Sequence, residues 1–329
     1  MAIRDIWHRN HLIRDAIGRA IFDRMKADPS IYLFGEGMHM KIHFDAPQIE
    51  RDYLNRVQTL PVSEDGNTFF AVGASLLGVK PIVDVITADF LYRTLDSICN
   101  TAAKLNFVAA KDELPKTIVI RSEFLVGGPT TGQRPEALFV HIPGLKVVLP
   151  STPKDAYGLM RTALTCPGVT VFFEDRMIKD VKTKAKDYDM GNDFIPFGSA
   201  WFRIRPREAK LLIVTYGLMR QTVEFLLDQE CLENIVLLDL RTLYPIDWVT
   251  LIAAAEETGR MLLIEPDVTY GGIGAEIAAT VAERCPFVRT RRLGAPRLTI
   301  PGSIDLHDSM TPTPEEILAV IEEVKSSWT

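Results

Sequence analysis

Short apolar runs alternate with helical segments along almost all of the 329 residues, and this alternation limits the fold more than any other feature. Residues 31–34, 81–87, 117–121, 145–150 and 169–173 are apolar runs bounded by Gly, Pro or polar clusters, and they read as buried strands. Residues 11–27 repeat apolar pairs every four positions (Leu12/Ile13, Ala16/Ile17, Ala20/Ile21), then Met25, which is one face of a helix. Leu91 to Ala110 places Leu95, Ile98, Ala102 and Leu105 on one face and predicts a single long helix. Ser151-Thr152-Pro153 offers a capping hydroxyl and a first-turn proline, a helix start. Strands and helices in this order predict an α/β layer architecture around a mainly parallel sheet.

From about Glu174 to Lys210 the chain becomes polar and loses its periodicity. The alternation restarts at residues 211–217, 235–240 and 261–264. Two α/β domains are therefore expected, residues 1–195 and a smaller one over 196–329.

The net charge of -6 gives no support for nucleic-acid binding. The basic clusters Arg203-Ile204-Arg205-Pro206-Arg207 and Arg289-Thr290-Arg291-Arg292 are short and read as solvated or interface residues. Cys99, Cys166, Cys231 and Cys285 have neither metal-ligand spacing nor a C-x-x-C motif, so a reduced, cytoplasmic protein is expected. Residues 1–9 scatter charges through the segment, so neither a signal peptide nor a membrane span is expected there.

Candidate chemistry is sparse. Glu64, in Val62-Ser63-Glu64-Asp65-Gly66-Asn67, stands at the mouth of a helix rich in small and apolar residues. Taken alone it reads as a helix cap, because acids favour helix N-termini; burial would instead suit it to proton chemistry. The run Gly271-Gly272-Ile273-Gly274 has Ile277 where a dinucleotide fingerprint needs its third glycine, and a tight turn with close helix packing is expected. His39 and His43 are four apart but in an irregular loop without an H-E-x-x-H pattern, so no metal site is expected. No G-x-S-x-G hydrolase element is present.

Taken together, Leu60-Pro61-Val62-Ser63-Glu64-Asp65-Gly66, the small-residue helix and Thr87-Ala88-Asp89-Phe90 resemble the transketolase-like pyrimidine-binding domain. The chain is similar in particular to the beta subunit of the decarboxylase component of 2-oxo acid dehydrogenases. Phe34-Gly35-Glu36, Leu95-Asp96-Ser97-Ile98, His141-Ile142-Pro143-Gly144, Leu238–Pro245 and Gly271–Glu276 carry the likeness across nearly the whole length. The resemblance implies two α/β domains, a transketolase-like pyrimidine-binding domain and a transketolase C-terminal-like domain. It also implies thiamine diphosphate as cofactor. By resemblance, Glu64 bonds N1′ of the aminopyrimidine ring and is the catalytic acid, Phe90 stacks on that ring, and Glu36 lies close to the same pocket.

Two absences bear on function. The family's diphosphate and Mg2+ site needs a G-D-G segment followed by an asparagine, and this chain has only Glu64-Asp65-Gly66-Asn67. In split members that site lies on an alpha subunit, so an obligate alpha partner and an alpha2beta2 assembly are implied. The second absence is the family histidine that assists substrate handling and transfer to a lipoyl arm. Counting back from His141 without gaps puts Thr131 at its place; a gapped alignment puts Gln133-Arg134 there. His39 and His43 are the candidate substitutes. The implied activity is cleavage of a 2-oxo acid or ketose next to its carbonyl, with transfer of the fragment to an acceptor. The lost histidine keeps a split carboligase without a lipoyl acyltransferase open as an alternative. A non-catalytic assembly subunit is the third reading, against which Glu64 and Phe90 argue.

Overall fold

The structure is a computed structural model that describes residues 11–36, 47–108, 116–125, 128–175, 178, 193–205, 208–230, 232–303 and 310–327. His39 and His43, expected near the site, and Cys231 lie outside the described residues.

The first half begins with α1 (His11–Ala27), whose apolar pairs bury Ala16, Ile17, Ala20 and Ile21 completely. There follow β1 (Ile31–Glu36), α2 (Pro47–Tyr53), β2 (Val57–Leu60), α3 (Glu64–Leu76) and β3 (Lys80–Thr87). β1 runs two residues past the predicted strand, so its last residue is Glu36, in register with Leu60 of β2. That register sets Glu36 beside the chain as it leaves β2 for α3.

The long helix expected from Leu91 to Ala110 is instead three pieces. A 3₁₀ helix spans Ala88–Thr94, a π-helix Asp96–Ala102 and α4 Ala103–Val108. Spacings of three, four and five residues all keep Leu91, Ile98 and Ala102 in the core, so the apolar pattern does not tell the helix types apart.

β4 (Thr117–Phe124), α5 (Glu136–Val140), β5 (Leu145–Val148), α6 (Pro153–Ala163) and β6 (Gly168–Asp175) complete this half. The helix start at Thr152-Pro153 is as expected: Thr152 Oγ1 accepts the Asp155 amide at 3.1 Å. α6 packs on α1 under the sheet.

The second half runs β7 (Trp201–Ile204), β8 (Leu211–Thr215), α7 (Gly217–Gln229), β9 (Ile235–Asp239), β10 (Thr242–Tyr244), α8 (Trp248–Thr258), β11 (Arg260–Val268), α9 (Ile273–Arg284), β12 (Arg289–Ala295) and α10 (Pro314–Ser327). Two sheets result, of order β10-β5-β6-β4-β3-β1-β2 and β12-β11-β8-β9-β7. Both are parallel except at one edge, where β10 and β7 pair antiparallel with β5 and β9. The protein is thus α/β with two mainly parallel sheets, as predicted. Sequence reading did not anticipate β7 or β10. Each is three or four residues long, and β10 lends an edge to the first sheet from the second half of the chain.

A buried ionic cluster joins the halves and corrects the reading of Arg203. That residue is an internal cation whose Nη2 bonds the Asp155 carboxylate and meets Asp239 Oδ2 at 2.6 Å. Arg241 Nη1 reaches Asp155 Oδ1 at 3.1 Å, and its Nε donates to the Ser199 carbonyl at 3.0 Å. These two guanidiniums hold the Asp155 carboxyl below its ordinary range against the opposing effect of burial. Of the other basic residues, Arg205 pairs with Glu257 at the surface and Arg292 donates to the Thr269 carbonyl at 2.8 Å.

Candidate active site

Ligand sites in parallel α/β sheets lie outside the carboxyl ends of the strands, where Glu36 ends β1 and Ser63 caps α3. Glu36 Oε1 accepts the Ser63 amide at 2.8 Å and the Asn67 side-chain amide at 3.4 Å. Asn67 Nδ2 also donates to the Pro61 carbonyl at 3.0 Å, so Asn67 braces the strand-to-helix turn. Burial raises the Glu36 carboxyl above its ordinary range, the Ser63 amide opposes this, and the charge of Glu64 adds to it.

Glu64 is the first residue of α3, and Ser63 at the cap makes no side-chain capping bond. Only 8% of Glu64 is exposed. Its Oε2 meets Arg93 Nε at 3.2 Å. Arg93 stands three residues after Phe90 on the same 3₁₀ helix, and that helix packs against α3. Phe90 is half-buried against the main core cluster. Its neighbour Asp89 accepts the Gln133 amide at 3.2 Å and the Gln133 side chain at 3.0 Å, which pins the helix start to the loop before α5. Burial raises the Asp89 carboxyl, and both Gln133 bonds oppose the rise.

The structure therefore brings Glu36 and Glu64 together and ties the Phe90 helix to Glu64. Thr131 is a half-buried turn residue whose amide donates to the Gly128 carbonyl at 3.2 Å. Arg134, the other position considered for the family histidine, donates to Asp175 at 2.9 Å and Glu136 at 3.2 Å and stacks 3.9 Å over the Phe124 ring. Arg93 was not singled out from sequence; Gln133 was named only as a place for the missing histidine, and Asn67 only within the Glu64–Asn67 segment. The one signal for Arg93 was its three-residue step from Phe90, which requires the helix to be known.

A cavity of about 550 Å³ opens where the two halves meet, lined by Tyr92, Phe124, Gln133, Arg134, Asp267 and Arg297 among others. Glu36 and Glu64 do not line it; Gln133 connects it to the Asp89–Phe90 turn. Burial and the nearby Glu136 charge push the Asp267 carboxyl up to about 8.

The glycine run at the start of α9 packs on the chain itself. Gly271 adopts φ +73°, and the Gly274 amide donates to Glu265 Oε2 at 3.0 Å. The positive end of that helix thus faces an internal carboxyl. This agrees with the turn-and-packing reading.

Comparison with known proteins places this geometry in a class. Residues 11–179 match the transketolase pyrimidine binding domain and residues 201–317 the transketolase C-terminal domain. A split gene transketolase, solved as an inactive beta4 tetramer, has the same fold, with a TM-score of 0.77 over 95% of this chain and 97% of that one at 18% identity. Among curated proteins, 2-oxoisovalerate dehydrogenase subunit beta of Bacillus subtilis is 31% identical, covering 94% of this chain and 97% of that protein. The mitochondrial pyruvate dehydrogenase E1 component subunit beta-2 of Oryza sativa is 30% identical over 82% and 74%. The chain belongs to the family of 2-oxo acid dehydrogenase beta subunits built from these two transketolase domains.

Among the described residues no helix is long and apolar enough to cross a membrane.

Proposed function

We propose that this chain is the beta subunit of a thiamine diphosphate-dependent enzyme that cleaves a 2-oxo acid and passes the fragment to an acceptor. One observation carries the reading: a buried glutamate opens α3, with a second carboxyl behind it and the helix of a half-buried phenylalanine tied to its front. The residues fit the pyrimidine half of the cofactor. Glu64 would exchange a proton with the ring's N1′, Phe90 would present its face to the ring, and Glu36 would fix the turn that aims Glu64. When bound, the cofactor supplies an electron sink for the carbon left by cleavage. The task of Glu64 is to hold and return one proton in a site from which protein has removed most of the water.

The diphosphate and Mg2+ are assigned to an alpha subunit, in an alpha2beta2 assembly. Apolar side chains exposed along α3 and on the approach to it support a partner surface there: Val62, Phe70 and Leu77 are 80%, 52% and 87% exposed. Residues 1–195 and 196–329 are proposed as the two domain units, and the cytoplasm as the location. The rice relative's name places that protein in mitochondria, so fractionation of the source cell tests the location.

The Thr131 position keeps a second acceptor chemistry open. Without the family histidine there, a split carboligase that joins the fragment to an aldehyde is the alternative, second to transfer to a lipoyl acyltransferase. The test is to copurify the complex on a tagged full-length chain, add thiamine diphosphate and Mg2+, and screen 2-oxo acids with an electron acceptor, a lipoyl domain and aldehydes. Carbon–carbon products without oxidation identify the carboligase, and dependence on a lipoyl domain the dehydrogenase. Loss of about 100-fold or more in turnover is expected for Glu64→Gln; unchanged turnover would overturn the assignment.

A further inference from the structure

Arg93 Nε lies 3.2 Å from Glu64 Oε2, and the two side chains differ sharply in exposure, 72% against 9%. The guanidinium therefore approaches the carboxylate from the solvent side. The backbone below it is fixed: Asp89 at the start of the helix is bonded twice to Gln133, and Thr94 at the end donates to the Leu91 carbonyl at 2.9 Å. A well-held backbone thus carries a head group free to swing.

The inner side of Glu64 is different. Glu36 lies there, close enough for the charges of Glu64 and Arg93 to act on it, and its Oε1 already accepts from Ser63 and Asn67. A second carboxylate offers Glu64 no donor. The side open to an incoming donor is the one Arg93 covers.

We propose that Arg93 is a latch on Glu64: a positioning residue whose ion pair holds Oε2 in place and gives that oxygen up to ring N1′ of the bound aminopyrimidine. The inference rests on the reading of Glu64 as the pyrimidine partner. With its cation in solvent the pair is screened and weak, so the latch opens readily and lowers cofactor affinity only by the fraction of time it is closed. The Arg93 charge also reaches Glu36 and lowers its carboxyl, opposing the effect of Glu64.

The test uses the complex copurified on the tagged full-length chain, titrated by calorimetry with thiamine diphosphate at fixed Mg2+. Arg93→Gln is expected to tighten the dissociation constant by about two- to five-fold. Arg93→Lys, which keeps a cation, is expected to stay near wild type. Glu64→Gln is expected to weaken binding, and adding Arg93→Gln to that variant is expected to change nothing further, because the latch acts only through Glu64. If Arg93→Gln binds no tighter than wild type while Glu64→Gln binds more weakly, the latch is wrong and the site stands. An equal gain in the Glu64→Gln background also overturns the latch. If Glu64→Gln binds as wild type does, the pyrimidine assignment itself fails.

Discussion

The Gly274 amide and the Glu265 carboxyl are joined at 3.0 Å, so the first turn of α9 is closed by a side chain from the end of β11. The contact leaves no room for a side chain. A Cβ at Gly274 would stand 2.8 Å from Glu265 Oε1, and one at Gly272 would stand 2.5 Å from the Val268 carbonyl. Because a backbone carbonyl cannot move aside as a side-chain end can, Gly272→Ala should lower stability by about 1–3 kcal/mol, read as a fall in Tm of the purified chain.

Glu265 also gives stability a pH dependence. Burial pushes its carboxyl up to about 7, against the Gly274 amide, which lowers it. Between the ordinary carboxylate range and about 7 the folded chain keeps a proton that the unfolded chain has lost. Stability should then fall as pH rises through that interval, by roughly 2–3 kcal/mol from this group. Asp267, pushed up to about 8, adds a loss of the same sign. Glu265→Gln keeps an acceptor for Gly274 and removes the titration. Melting curves at about pH 5, 6, 7 and 8 should show a shallower decline for this variant than for wild type; parallel curves would refute the account.

Glu36→Ala should cost about 1–3 kcal/mol, because it strands the Ser63 amide and the Asn67 side chain. Glu36→Gln retains an acceptor and should cost less. Denaturant titration of the two variants separates loss of the acceptor from loss of the charge.

Gln133 holds Asp89 through two bonds, and Asp89 adjoins Phe90. Gln133→Ala keeps the backbone bond and removes the side-chain one, a loss of about 1 kcal/mol. If Phe90 faces the pyrimidine, thiamine diphosphate should bind about five-fold more weakly to the complex. Unchanged calorimetric affinity would separate this turn from the cofactor site.

Asp155 is the common partner of Arg203 and Arg241. Asp155→Ala leaves two buried guanidiniums short of a carboxylate and should cost about 3–5 kcal/mol. Asp155→Asn should cost less, since the amide oxygen still accepts. Denaturant unfolding of both variants checks the order.

The parts of this fold legible in sequence are those set by neighbours a few residues apart. The i, i+4 apolar pairs of α1 marked its buried face, Thr152-Pro153 marked the start of α6, and Gly271 marked a turn that needs positive φ. Apolar runs gave most of the parallel strands, because a strand buried on both faces has to be apolar throughout. The Glu64 and Phe90 candidates came from motif resemblance; the periodicity around Glu64 favoured only a cap.

What the tertiary structure decided depends on residues far apart in the chain. The partners of Arg203 lie 48 and 36 residues away, and nothing local separates a buried cation from a solvated one. β10 is a strand only because β5 offers an edge, and residues 88–108 change helix type as they round the core. The surroundings of Glu64 were decided in the same way. Sequence put a carboxylate at the start of an apolar helix; only the fold set Glu36 behind it and Arg93 in front, because those contacts depend on strand register and helix packing rather than on spacing along the chain.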